Sequence, residues 1–273
     1  MIKITSYGPV TRFDLARSLP GRFQYWTTAY LINGTLIDSG CAHCAYELVD
    51  ILRGTRVEQI INTHTHEDHI GTNGIFQNNY PPLTILAHPL ALKVLANPKR
   101  EQPLHPYRRI FWGWPEPCIA QPVTEGEVIS SQGYELQVVG TPGHSPYHIC
   151  LYEANQKWLF TGDLFVGGRE RALREGYDIW QIIQSLKKIA GLPIDWLFPG
   201  AARVREKPAD ELQAKLAYLK ELGTQIIDLH RQGWDVATIT RKVCGTAMAI
   251  EWITLGHFSR RHLVLSYLGK YST

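Results

Sequence analysis

One stretch limits what this chain can fold into more than any other: Thr63-His64-Thr65-His66-Glu67-Asp68-His69-Ile70-Gly71. It follows the apolar run Val57-Glu58-Gln59-Ile60-Ile61-Asn62. A β-branched run that opens into a polar, glycine-terminated cluster reads as a buried strand delivering side chains to a loop at its end. His64 and His66 are two residues apart, so in an extended chain they point the same way and one cation can take both. Asp68 and His69 come after the chain has begun to turn and face a second point. Imidazole and carboxylate together suit zinc, iron or manganese rather than calcium.

Strands and helices alternate around this cluster. Tyr25 to Ile32 is β-branched and aromatic, Asn33-Gly34 is a two-residue hairpin signal, and Thr35 to Asp38 is the return strand. Ala42 to Leu52 reads as a helix with Leu48, Ile51 and Leu52 inward, stopped by Gly54. Leu83 to Ala87 is a further strand, and a helix opens at His88-Pro89. This alternation predicts a layered α/β domain. A second group of strands is expected at Gly126 to Ile129, Tyr134 to Val139, Ile149 to Tyr152, Trp158 to Asp163 and Trp196 to Pro199, with a helix over Ile179 to Ile189. From about Lys207 the spacing turns helical, with Gly223 and Gly233 as interruptions. The expected organisation is a domain over 1–205 with a helical extension over 206–273.

Two later segments complete a pattern. Thr141-Pro142-Gly143-His144-Ser145 and Thr161-Gly162-Asp163 each follow an apolar strand. Together with His-Thr-His-Glu-Asp-His they resemble the ligand motifs of the metallo-β-lactamase-fold superfamily, in its glyoxalase-II-like branch. The resemblance covers roughly residues 20–205 and implies an αββα sandwich with a C-terminal helical extension. It implies that His64, His66 and His144 hold a first metal, that Asp68 and His69 hold a second, and that Asp163 lies between. Asp68 is the implied water-orienting and proton-accepting carboxylate. The sequence departs from the family at Phe198-Pro199-Gly200-Ala201, where Ala201 stands at a position usually taken by histidine. Alanine ligates nothing, so one well-occupied site and a weak or absent second one are expected. Zinc is the expected metal, with iron or manganese as alternatives.

The expected activity is hydrolysis of a small ester, thioester or lactone. Alternatives are a mononuclear iron enzyme of sulfur or oxygen chemistry, and a degenerate member that binds without turnover. Asn97 to Pro122 carries six prolines among Tyr107, Phe111, Trp112, Trp114 and three arginines, and reads as an irregular segment: a lid over a substrate pocket, or else a crossing that covers one sheet or a dimer contact. Its arginines are available on this reading to an anionic group. His148, His257 and Arg169 are further pocket candidates; His43, His88, His105, His230 and His262 carry less weight.

A net charge of +3 is too mild to argue for nucleic acid or a membrane surface. The chain shows no apolar run near about 18 residues, and its start has no signal-peptide character. A cytoplasmic protein with a small-molecule substrate is expected, with room for a homodimer. Five scattered cysteines argue against a disulfide framework. Cys41-Ala42-His43-Cys44 is a CxxC that could be a redox pair or half a zinc site; free thiols at a helix start are the plainer expectation.

Overall fold

The computed structural model describes residues 1–19, 24–80 and 82–269. The chain divides into two compact units. The first comprises Met1–Gly140, Tyr147–Val166 and Ile194–Glu206, and the second Thr141–Pro146, Gly167–Pro193 and the residues from Lys207 onward.

The first unit contains two sheets. One runs in the order β1 (Ile2–Tyr7), β2 (Val10–Leu15), β3 (Thr27–Ile32), β4 (Thr35–Ile37), β5 (Gln59–Ile61), β6 (Thr84–Ala87) and β7 (Gln121–Pro122). Pairing is antiparallel up to β4 and parallel from there on. The β3–β4 turn is the Asn33-Gly34 hairpin, and both residues take positive φ (37° and 82°), as a type I′ turn requires. The other sheet holds β8 (Val128–Ser131), β9 (Tyr134–Gly140), β10 (Ile149–Glu153) and β11 (Trp158–Gly162). Two strands from later in the chain complete that sheet.

Side-chain alternation divides the core. Leu36, Ile60 and Ile85 lie in register across β4, β5 and β6 and join one cluster with Leu48 and Phe76. Their neighbours Ile37, Ile61 and Leu86 join the other cluster, with Leu136, Leu151 and Phe160 of the second sheet. The first sheet is thus buried on both faces, which explains why its parallel strands read as continuous apolar runs. Each fully buried side chain of this size contributes roughly 1.5–3 kcal/mol.

The helices α1 (Ala45–Ile51), α2 (Asn73–Asn79) and α3 (Leu92–Ala96) cover the outer face of that sheet. Ile51, expected inside, is exposed. The buried stripe is Ala45, Leu48, Val49 and Leu52, an i, i+3, i+4, i+7 set that leaves Ile51 off the face. The proline-rich stretch is also more regular than expected. It forms α4 (Pro98–Glu101) and α5 (Pro106–Phe111), each beginning on a proline. At the first helical position proline loses no bond and has its φ already set.

The second unit is mostly helical. A two-residue strand, β12 (Leu173–Arg174), precedes α6 (Ile179–Ile189), whose cap Asp178 accepts from the Trp180 and Gln181 amides. Ile179, Ile182, Ile183, Leu186 and Ile189, at helical spacing along α6, are all buried. In the first unit, β13 (Trp196–Pro199) pairs parallel with β11, and β14 (Arg205–Glu206) ends that sheet. In the second unit follow α7 (Ala209–Arg231), α8 (Val236–Cys244), α9 (Ala249–Ile253), β15 (Phe258–Ser259) paired with β12, and α10 (Arg260–Tyr267). Gly223 does not interrupt α7. It makes room for the Tyr267 ring, which a Cβ there would meet at 2.7 Å. Tyr267 also donates its hydroxyl to the Leu219 carbonyl at 2.7 Å. No described helix is long and apolar enough to cross a membrane.

Candidate metal centre

β5 ends at Ile61, and the loop beyond it is held at every step. The Asn62 amide donates to the Leu86 carbonyl, and the Thr63 carbonyl accepts from the Ile149 amide, both at 2.9 Å. The chain then turns, with the His69 amide on the His66 carbonyl at 2.8 Å. Thr27 donates its hydroxyl to the Asp68 carbonyl at 2.6 Å. His64, His66, Asp68 and His69 are all buried.

The first pair behaves as its spacing implies. His64 Nε2 and His66 Nδ1 lie 2.8 Å apart. Thr63 Oγ1 sits 3.0 Å from His64 Nδ1 while donating to Asp38 Oδ2 at 2.8 Å. The hydroxyl oxygen is therefore free to accept from Nδ1–H, which leaves Nε2 as the lone-pair nitrogen. Ligand atoms of His64, His66 and Asp163 lie within 4.8 Å of one another, and so do those of Asp68, His69 and Asp163.

Asp163 arrives from the second sheet, directly after β11. Gly162 before it has φ +46°, and a Cβ there would meet Thr63 Oγ1 at 2.6 Å and His148 Nε2 at 2.8 Å. Only glycine lets β11 close on the histidine loop. Gly200, after β13, is equally confined, since a Cβ would lie 2.6 Å from His69 Cε1 and 2.7 Å from Asp163 Oδ1. Ala201, half-buried, follows it. Arg12 fixes that turn by donating to the Ala202 carbonyl at 2.6 Å while paired with Asp14.

His69 carries the strongest signal. Its Nδ1 lies 2.7 Å from Asp38 Oδ2, so Nδ1–H donates to that carboxylate. Its Nε2 is buried without a hydrogen-bond partner, 3.4 Å from Asp163 Oδ1 and 3.8 Å from Asp68 Oδ2. With Nδ1–H on Asp38, Nε2 is the position between two carboxylates that takes up positive charge, a proton or a metal cation, and a carboxylate behind the ring is the usual support of a metal-binding histidine. Burial alone would lower the His69 pKa, but Asp163, Asp38 and Asp68 outweigh it and raise it well above the ordinary value. Asp68 is raised by burial, opposed by His69 and reinforced by Asp163. These residues fit a divalent cation, whose charge would offset the gathered carboxylates.

Asp38 escaped the sequence reading. It looked like the last residue of a return strand, yet it is buried at φ +55° and also accepts the Thr63 amide at 2.8 Å. A left-handed non-glycine residue at a strand end marks a site where position matters. Asp38→Asn is expected to keep the fold and cost about 10–100-fold in metal affinity or activity. Isothermal titration with zinc measures this, and an unchanged affinity would mean that Asp38 only supports the loop.

Glu67 and Arg108 were also missed in their actual roles. Glu67, inside the motif, is fully buried in an ion pair with Arg108 of α5. Arg108 is therefore not available to an anionic substrate, since a buried carboxylate needs it. Trp112 belongs to the apolar cluster outside the first sheet, edge-on to Tyr25. Tyr107 is half-buried against that cluster, and Trp114 is half-buried. Thr65 is tied to this region through Gln102, whose side-chain amide donates to its carbonyl at 2.8 Å.

His148 is buried in the first unit, with its Nε2 accepting from the Asp163 amide at 3.3 Å. Burial pushes its pKa down to about 3, so it is neutral. In the second unit, His144 is half-buried with its Nε2 3.3 Å from the Tyr177 hydroxyl. Arg169 stacks over the Tyr218 ring, and His257 accepts from Arg174 Nε at 3.1 Å. Neither His148 nor His257 belongs to a ligand cluster found among the described residues.

The family described as the metallo-beta-lactamase superfamily matches residues 27–201. A curated relative, the atrochrysone carboxyl ACP thioesterase of Aspergillus fumigatus, is 28% identical over 206 residues. That match takes in 72% of this chain and 58% of the relative, so the chain spans little more than half of that protein. A beta-lactamase domain protein from Burkholderia ambifaria superposes with a TM-score of 0.70 at 16% identity, over 97% of this chain and 87% of that one. A metallo-beta-lactamase family protein from Thermus thermophilus gives 0.65 at 17% identity, over 94% and 90%. The two solved structures share the fold, and the family match spans both strand-end motifs and the histidine loop. The chain belongs to the metallo-beta-lactamase superfamily.

Proposed function

We propose that the protein is a metal-dependent hydrolase of a small acyl substrate, a thioester before an ester or lactone. The observation that carries this reading is His69: a buried imidazole with its Nδ1 bonded to Asp38 and its Nε2 aimed between Asp163 and Asp68. The thioester preference is supported by the Aspergillus relative, which is named as a thioesterase.

On this reading His64, His66, His144 and Asp163 hold a first cation, and Asp68, His69 and Asp163 a second. The place of His144 follows from its motif. When bound, zinc, iron or manganese supplies a Lewis-acid charge and a water acidified towards a pKa of about 7. The chain's own residues do the rest. Thr63 and Asp38 fix the tautomers of His64 and His69, so both rings present Nε2. Asp68, raised by burial, is suited to take a proton at its carboxylate and release it to the departing thiol or alcohol. Neutral His148 holds the Asp163 amide and keeps the β11 end in place.

The test is hydrolysis of short acyl thioesters, acyl esters and lactones by purified protein with added zinc, manganese or iron. The proposal expects turnover fastest on thioesters. No turnover from fully metal-loaded protein would favour a binding protein, and oxygen consumption with iron alone would favour oxidative chemistry.

Ala201 makes a separate prediction. Ala201→His is expected to raise second-site occupancy, read as metal per chain after dialysis against a fixed free zinc concentration. Unchanged stoichiometry would show that position 201 does not face the second cation.

A further inference from the structure

We propose that Cys41 and Cys44 form a dithiol–disulfide couple, a redox site separate from the hydrolytic centre. Cys41 caps the short helical turn over Ala42–Cys44, and the Cys44 amide donates to the Cys41 carbonyl at 3.0 Å. A turn closed in this way brings the two Cα atoms within about 7 Å, inside or near the window of about 4.4–6.8 Å that a disulfide spans. Both thiols are free and buried, and they are hydrogen-bonded to each other.

That bond divides their chemistry. Accepting it, with the Met1 ammonium 3.8 Å from its sulfur, pulls the Cys44 thiol down to about 7 against its burial; donating it, with burial, pushes Cys41 well above its ordinary value. Cys44 is therefore the attacking sulfur and Cys41 the resolving one. His43 and Tyr46 beside Cys44 are exposed, so opening this one turn brings Cys44 to solvent. The oxidant is a small-molecule disulfide. The Cys44 thiolate attacks one of its sulfurs, a mixed disulfide forms, and one thiolate leaves. Cys41 then loses its proton and attacks Cys44, and the second thiol leaves. Two protein thiols are oxidised and one external disulfide is reduced.

The couple also adjoins the histidine loop. The Gly71 amide donates to the Gly40 carbonyl, and the Ser39 amide to the His69 carbonyl, both at 2.7 Å. A Cβ on Gly71 would lie 2.6 Å from the Cys41 Cα. Closing the ring at residues 41–44 therefore acts on the backbone beside His69.

The experiment equilibrates the full chain in glutathione buffers from fully reduced to fully oxidised, blocks free thiols and maps the peptides. The expected result is loss of two of the five thiols, both in the peptide spanning 41–44 and recovered with a dithiol reductant. Hydrogen exchange at the Gly71 amide is expected to change on oxidation. In Cys41→Ser, glutathione is expected to remain on Cys44. Five reactive thiols at every ratio would overturn the proposal. So would loss confined to Cys118, Cys150 or Cys244, or a lasting glutathione adduct on wild-type Cys44. The wild-type map decides the question even if the variant fails to fold.

Discussion

On the proposed function, His64→Ala is expected to release the first cation and lower kcat/KM for acyl hydrolysis by about a thousandfold or more. The size follows from the charge that is lost. A bound cation contributes several kcal/mol to the stabilisation of developing negative charge, and each 1.36 kcal/mol is about tenfold in rate. His64 is buried between Thr63 and His66, and its Nε2 lies 2.8 Å from His66 Nδ1. Truncation leaves His66 and Asp163 without the ring between them. Thermal unfolding separates the two explanations of a null result. The variant should lose the zinc-dependent rise in Tm while folding as before. Retained turnover at wild-type metal content would remove His64 from the site.

The second large effect is on stability. Glu67→Ala is expected to destabilise the fold by roughly 3–5 kcal/mol, because it leaves a buried guanidinium without its carboxylate. Glu67 is fully buried and Arg108 nearly so, and neither has water to fall back on. The double variant Glu67→Leu with Arg108→Met removes both charges and should recover most of that loss. Urea unfolding of the singles and the double closes the cycle. Additive losses would show that the pair is not coupled. The pair matters to the site because it joins the motif loop to α5, with Thr65 and Gln102 alongside.

The parts of this molecule that were legible are those set by local chemistry. Asn33-Gly34 dictated its hairpin because both residues accept positive φ. The Ile179–Ile189 helix showed in its apolar spacing and its Asp178 cap. Within the first unit, the strand ends place His64, His66, Asp68 and His69 in the loop after β5, and Asp163 directly after β11. What was hidden depends on distant partners. Asp38 gains its role only when the chain 31 residues later brings His69 to it. Glu67 looked like one more acid in the cluster until Arg108, 41 residues on, turned out to face it. The prolines of 97–122 suggested an irregular lid, but two of them start helices, where proline is at home. Gly223 looked like a helix break and is a packing contact with Tyr267.

The central proposal is a two-cation centre whose second half, Asp68, His69 and Asp163, lacks the histidine that the family usually carries at position 201. Elemental analysis of purified protein, dialysed against defined free zinc, tests it most directly. The account predicts one tightly held ion per chain and a second that binds only at higher free metal. Two ions retained at low free zinc, or none at saturating zinc, would contradict it.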